Sequence, residues 1–163
     1  MNEHLNKVSV SRISLICIVI LLVTDLLSTM YMDLYWSEKG FSDIALSLAL
    51  QKNKMHLSDL SPETYQEMIQ FIHNAFRLFL VVFILNNLFF YYFFFRKKLW
   101  AFKFVHFYVL TAAIINISFI FDDFTLPWYW SIYNLLTIPV YGVLWLVLKV
   151  RKNDFILGRE TSV

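Results

Sequence analysis

The sequence predicts an all-α, polytopic membrane protein. The expected architecture is a four-transmembrane-helix antiparallel bundle with an amphipathic extracytoplasmic segment and no separate soluble domain. Three observations carry that expectation. The 163 residues are 59% hydrophobic and only 16% charged, and the mean hydropathy of +0.59 lies well above the balance of a soluble domain. Four apolar runs reach the roughly 20 residues that a helix needs to cross hydrocarbon about 30 Å thick. The charges outside those runs alternate in sign from one connection to the next.

The first span is read over residues 13–32. Lys7 and Arg12 could open a signal peptide, but the apolar stretch is too long and no small-residue cleavage site follows it. Cys17 is the only cysteine and lies inside this span, so an intramolecular disulfide is excluded. The second span is read over 72–95, the third over 99–121 and the fourth over 127–148. Ser61-Pro62 supplies an N-cap followed by proline at the first helical position. No breaker follows before Phe95, so one helix of about 34 residues and about 50 Å is expected, longer than the bilayer core. Pro139 removes one helical hydrogen bond from the fourth span and is expected to kink it. With three glycines in the chain and no GxxxG pattern, side chains rather than close backbone contact should pack the helices.

Connection 33–71 holds Lys39, Lys52 and Lys54 against Asp33, Glu38, Asp43, Asp59, Glu63 and Glu67. The turn after the second span is purely basic, with Arg96, Lys97 and Lys98, and Lys103 follows it. The third connection holds Asp122 and Asp123 and no base, whereas the C-terminal tail carries Lys149, Arg151, Lys152 and Arg159. The positive-inside rule then places both termini and the second loop in the cytoplasm of a cell with an inner membrane. Trp128, Tyr129 and Trp130, and Trp100 at the other end, suit the membrane–water boundaries. Within the long connection, Phe41, Ile44, Ala45 and Leu48 recur at amphipathic-helix spacing, which suits the outer leaflet or a membrane or periplasmic protein partner.

Ionisable residues inside the spans are the candidate functional groups, because a charge in hydrocarbon costs roughly 2.5–3.5 kcal/mol even on insertion scales. Counted from the ends of the apolar runs, Asp25, Arg77, Asn116 and Asn134 all fall about 8–10 Å below the outer boundary. Ser28 lies one turn above Asp25 and His73 one turn above Arg77, and Asp122 and Asp123 stand at the outer rim. Two readings follow. Asp25 and Arg77 form a buried ion pair while the asparagines bond between helices, or the layer lines a cavity open to the outside that holds a small polar ligand or metal, or passes a proton. Asn86 and Asn87 point about 100° apart, so only one can serve a given interface. His106, near the basic turn, is expected to snorkel to the interface. The run Phe89–Phe95 reads as a packing or lipid-facing wall.

Other chemistry finds little footing. His73, Asp122, Asp123 and Asp33 could meet at the outer rim, but their spacing is not diagnostic of a metal site, and no metal or cofactor is expected. There is no nucleophile elbow, P-loop or dinucleotide motif, and the basic turn is explained by topology without nucleic acid. Size, four spans and inside termini are similar to those of lipoprotein signal peptidases, and Thr24-Asp25-Leu26-Leu27-Ser28 resembles the first motif of that family. The glycine-rich segments and the second catalytic aspartate of that family have no counterpart in a span here, so no residue role transfers. The functional expectation is a non-enzymatic accessory, binding or immunity-type protein of the inner membrane, acting through its extracytoplasmic face. The alternative is a small-ligand or proton-coupled transport component using Asp25 and Arg77, which with four spans requires a homo-oligomer. An intramembrane hydrolase is third.

Overall fold

The computed structural model describes residues 9–122 and 128–157. Six α-helices appear among them: α1 (Val10–Glu38), α2 (Phe41–Lys52), α3 (Pro62–Phe95), α4 (Leu99–Asp122), α5 (Trp128–Val150) and α6 (Lys152–Leu157), with a short 3₁₀ turn at Leu57–Asp59. Four stretches are long and apolar enough to cross a membrane: α1, α3, Leu99–Phe119 of α4, and α5. Internal packing divides the chain into two compact units. One comprises the chain up to Asp25 together with everything from Asn86 onward, and the other is Leu26–Leu85.

The element boundaries follow from local chemistry. The first helix does not stop with the apolar run at Met32 but continues to Glu38, because nothing before Gly40 breaks it. Gly40 takes φ +62°, a left-handed conformation that glycine adopts without penalty. At the start of α3 the Ser61 hydroxyl accepts the Thr64 amide at 3.2 Å, and Pro62 occupies the first helical position where no donor is required. The expected single helix of 34 residues is present. It ends in a Schellman turn, in which the Lys97 amide donates to Phe94 O at 2.9 Å and the Lys98 amide to Phe93 O at 3.0 Å. Lys97 accordingly has φ +56°, and the same device ends α2 with Lys54 at φ +59°. Helix α5 runs on through Pro139.

In the first unit, α1 buries Ile13, Cys17 and Leu21, a stripe at the three-to-four spacing of one helix face. These residues join Tyr91 and Phe94 of α3, Val105 and Val109 of α4, and Tyr141, Leu144 and Leu148 of α5 in one core. The aromatic run of α3 divides by face: Tyr91 and Phe94 are buried, while Phe89, Tyr92 and Phe95 are exposed. Phe90 stacks on Phe104 with centroids 3.5 Å apart. Helix α6 seats Phe155 against Phe94 at 5.2 Å and Phe102 at 4.8 Å.

The second unit is organised by Trp36. Its ring stacks on Phe76 of α3 at 4.0 Å, lies 5.3 Å from Phe41, and its indole N–H donates to Ser42 Oγ at 2.8 Å. A helix, α2, occupies the segment expected to be amphipathic. Ser42, Leu46 and Leu50 are buried, whereas Ile44 and Leu48 are 49% and 60% exposed. The tryptophan anchor fixes that rotation, since burying Ser42 under Trp36 turns Ile44 and Leu48 outward. Tyr65 of α3 donates a hydrogen bond to the Asp43 carboxylate, and that contact holds the Tyr65 phenol above its ordinary range.

Replacing Trp36 by alanine removes both the ring stack and the hydrogen bond, so amide protons of 41–52 should exchange far faster in hydrogen–deuterium exchange. Ser42→Ala removes only the bond, costs about 1 kcal/mol, and should produce a much smaller loss of protection in the same segment.

Candidate functional site

The single polar layer expected from the sequence separates into three constellations. Its depth arithmetic measured from the ends of the apolar runs, whereas α1 extends six residues past Met32 and α3 begins ten residues before Ile72.

Asp25 is the centre of the first. It sits on α1 just beyond the stripe of Cys17 and Leu21, and only 1% of its surface is exposed. Its Oδ2 accepts the Asn87 amide at 3.1 Å and the Tyr91 hydroxyl at 2.7 Å. Its Oδ1 accepts the Tyr108 hydroxyl at 2.5 Å. The expected Asp25–Arg77 ion pair is therefore replaced by three neutral donors from α3 and α4. A carboxylate with three donors has its acceptor capacity met without a counter-ion. Asn87 and Tyr91 are one turn apart on α3, which aims both at the same point. Asn86, about 100° away, is exposed as its spacing requires. Next to Asp25 in the chain, Thr24 bonds back to Ile20 O and Leu21 O, and Tyr133 of α5 donates to Thr24 O at 3.0 Å. Ser28, one turn further on, is half-buried.

The second constellation joins α4 to α5. Asn116, 8% exposed, donates to Ala112 O at 2.8 Å and accepts Thr137 Oγ1 at 3.1 Å. The same threonine lies 2.9 Å from the carbonyl of Asn134, itself 1% exposed. An interhelical bond from Asn116 is thus present, with Thr137 as its partner, a residue that sequence reasoning passed over because a hydroxyl inside a helix so often bonds back to its own turn.

The third belongs to the second unit. Asp33 Oδ1 receives Arg77 Nε at 3.0 Å and its Oδ2 receives Arg77 Nη2 at 3.0 Å, a two-pronged pair. His73 Nε2 lies 3.1 Å from the same Oδ1. His73 and Arg77 share a face of α3 at i, i+4, as expected. Their acid is Asp33 rather than Asp25 because α1 continues helically past Met32 and carries Asp33 with it. The side chains of Arg77, Asp33 and His73 are 58%, 30% and 21% exposed. His73 and Arg77 border an open groove of about 350 Å³ along α3, lined also by Tyr65, Ile69 and Asn74. This cluster is accessible and charged, whereas the Asp25 cage is closed and satisfied.

Among the described residues, no three His, Cys, Asp or Glu side chains converge to hold a metal ion. The outer-rim pair falls outside this description, since Asp123 and the side chain of Asp122 are not among the described residues. His106, expected to snorkel, instead packs against Phe102 and Trp145 with Nε2 buried, because the aromatic faces around it offer more contact than the boundary does. Comparison with family models, curated proteins and solved structures finds no match.

Tyr91→Phe and Tyr108→Phe should each destabilise the protein by about 0.5–2 kcal/mol, the range for interhelical hydrogen bonds in membranes. With Asp25→Leu already in place the same two changes should become neutral or stabilising, since each then removes a hydroxyl that has lost its acceptor. Equilibrium unfolding in detergent reads both signs. In the same assay Asp25→Asn and Arg77→Gln should be additive, whereas Asp33→Asn and Arg77→Gln should not.

Proposed function

We propose that the chain is an integral protein of the cell inner membrane with four antiparallel spans and both termini cytoplasmic. In this reading it is a non-enzymatic accessory, binding or immunity-type protein, and its partner is a membrane or periplasmic protein met at the extracytoplasmic connection. The observation that carries the reading is the state of α2. A connection serving only to link two spans needs no fixed orientation, yet α2 is held by Trp36 and Tyr65 and sunk on one side through Leu46 and Leu50. The apolar residues left outward, Ile44 and Leu48, have no role in that anchoring. An apolar patch presented on a fixed scaffold is how binding surfaces are built. The Asp33–Arg77–His73 cluster supplies polar specificity in the same unit.

A transport component remains the alternative, favoured by the buried Asp25, since an ionisable group inside a span is a functional hypothesis by default. Asp25 and Arg77 engage different partners, so that version rests on Asp25 alone, in a homo-oligomer. An intramembrane hydrolase is the third reading and would show lipid or peptide turnover that is lost on changing Asp25.

Two measurements test the proposal. On a Cys17→Ser background, Asn53→Cys should react with an impermeant maleimide in intact cells, and Lys97→Cys only after permeabilisation; the reverse pattern inverts the topology. A photo-crosslinker at Leu48 should give a discrete protein adduct in native membranes that survives Asp25→Asn, while one at Val19 gives lipid only. Lipid adducts alone at Leu48, with a pH-dependent flux abolished by Asp25→Asn, would sink the accessory reading in favour of transport.

A further inference from the structure

Away from these sites, where α4 begins and α5 ends, two polar nitrogens have no hydrogen-bond partner among the described residues. They are His106 Nε2 and Trp145 Nε1, and both are buried. Their rings stack at 5.6 Å with an interplanar angle of 20°, and the Phe102 ring lies parallel to the imidazole at 6.0 Å. Leaving polar atoms covered and unbonded costs free energy, so a native fold that keeps two of them together calls for an explanation.

Positive charge surrounds the pair. The Lys149 ammonium lies 4.7 Å from the centre of the Trp145 ring, and Lys149 and Lys152 both act electrostatically on His106. Asp154, the described acid nearest in sequence, is bound to Arg151 at 2.5 Å. Trp145 and Lys149 are one turn apart on α5 and share a face, and Lys152 opens α6 two residues after α5 ends. The indole N–H, the imidazole N–H and two ammonium groups are all donors. The neutral imidazole keeps one acceptor nitrogen, but a cation would meet two ammonium groups beside it, whereas a ligand rich in anionic oxygens can meet the donor of every member.

The depth narrows the ligand further. His106 is about 10 Å from the start of α4 and Trp145 about 8 Å from the end of α5. Both therefore lie within two turns of the ends of apolar helices, close to where acyl chains meet headgroups. One turn deeper on the His106 face, Leu110 is 43% exposed and offers an apolar track for an acyl chain. We propose that His106, Trp145, Lys149 and Lys152 bind the phosphate of an anionic lipid headgroup. The flexible lysines reach the lipid from the boundary, and the ring nitrogens fix the phosphate against the helices. Positive charge alone would attract anionic lipid diffusely, whereas two ring donors in fixed positions make a site. The site is independent of which side of the membrane it faces.

The test uses the full chain purified in a neutral detergent. Thermal unfolding is titrated with phosphatidylglycerol, with phosphatidylcholine of the same chains, and with inorganic phosphate. Phosphatidylglycerol should stabilise the protein selectively. His106→Phe and Trp145→Phe keep an aromatic ring at each position and remove its nitrogen donors, and each should weaken the lipid's apparent affinity several-fold. The exposed pair Lys149→Gln with Lys152→Gln lies outside the core, so folding should persist while affinity falls about tenfold or more. Equal stabilisation by phosphatidylcholine, or a phosphatidylglycerol response unchanged in the double lysine variant and in either ring variant, overturns the site. Full protection by inorganic phosphate alone overturns the lipid and leaves a soluble anion as the occupant.

Discussion

A carboxyl group in the middle of an apolar helix is tolerable only when its oxygens are satisfied by donors, and in this protein that requirement ties three helices together. Asp25 draws Asn87 and Tyr91 from α3 and Tyr108 from α4 onto one point. Tyr133 of α5 then closes over the adjacent backbone at Thr24. Between lipid-soluble helices there is little hydrophobic gain in choosing one rotation over another, because lipid tails are as apolar as leucine. A directional polar centre supplies the choice that greasy surfaces cannot. The core around it, from Cys17 and Leu21 to Tyr141 and Leu144, is packed in the rotation that the Asp25 bonds select.

The two acid-centred clusters solve different problems. Asp25 is closed off and held by uncharged donors. Asp33 is partly open and held by a charged one, with His73 beside it. The first arrangement suits fixing a fold, since both carboxylate oxygens have donors from the protein itself. The second suits recognition, since Arg77 keeps exposed surface next to a groove. Anchoring α2 through Trp36 adds an ordered, exposed helix to the same unit.

How much of this was legible beforehand depended on whether the signal was local. Helix α3 was readable to the residue because Ser61-Pro62 starts it and no breaker intervenes before Phe95. The inequivalence of Asn86 and Asn87 followed from helical geometry alone. Partner choice was not legible. Asp25 and Arg77 were matched by sign and estimated depth, yet tyrosines and an asparagine satisfy a carboxylate equally well, and tyrosine hydroxyls carry no charge to betray them. The depth estimate failed because apolarity and helicity end at different places: α1 keeps its helix through Asp33, Tyr35 and Trp36. The inward face of α2 was missed because Trp36, six residues before Ser42, decides it through a contact that no periodicity encodes.

The spacing of the Asp25 partners along the chain has a temporal meaning. They lie 62, 66 and 83 residues downstream. At roughly 5–20 residues per second of synthesis, Tyr108 emerges about 4–17 s after Asp25. A helix forms in about a microsecond or less, so the first span is complete long before its polar centre has anything to bind. Until then Asp25 depends on water, on lipid headgroups or on the insertion machinery; the second span brings Asn87 and Tyr91, and the third completes the set with Tyr108. The nascent first helix is therefore a waiting intermediate. Its readiness to leave that shelter is set by residues that the ribosome has not yet translated.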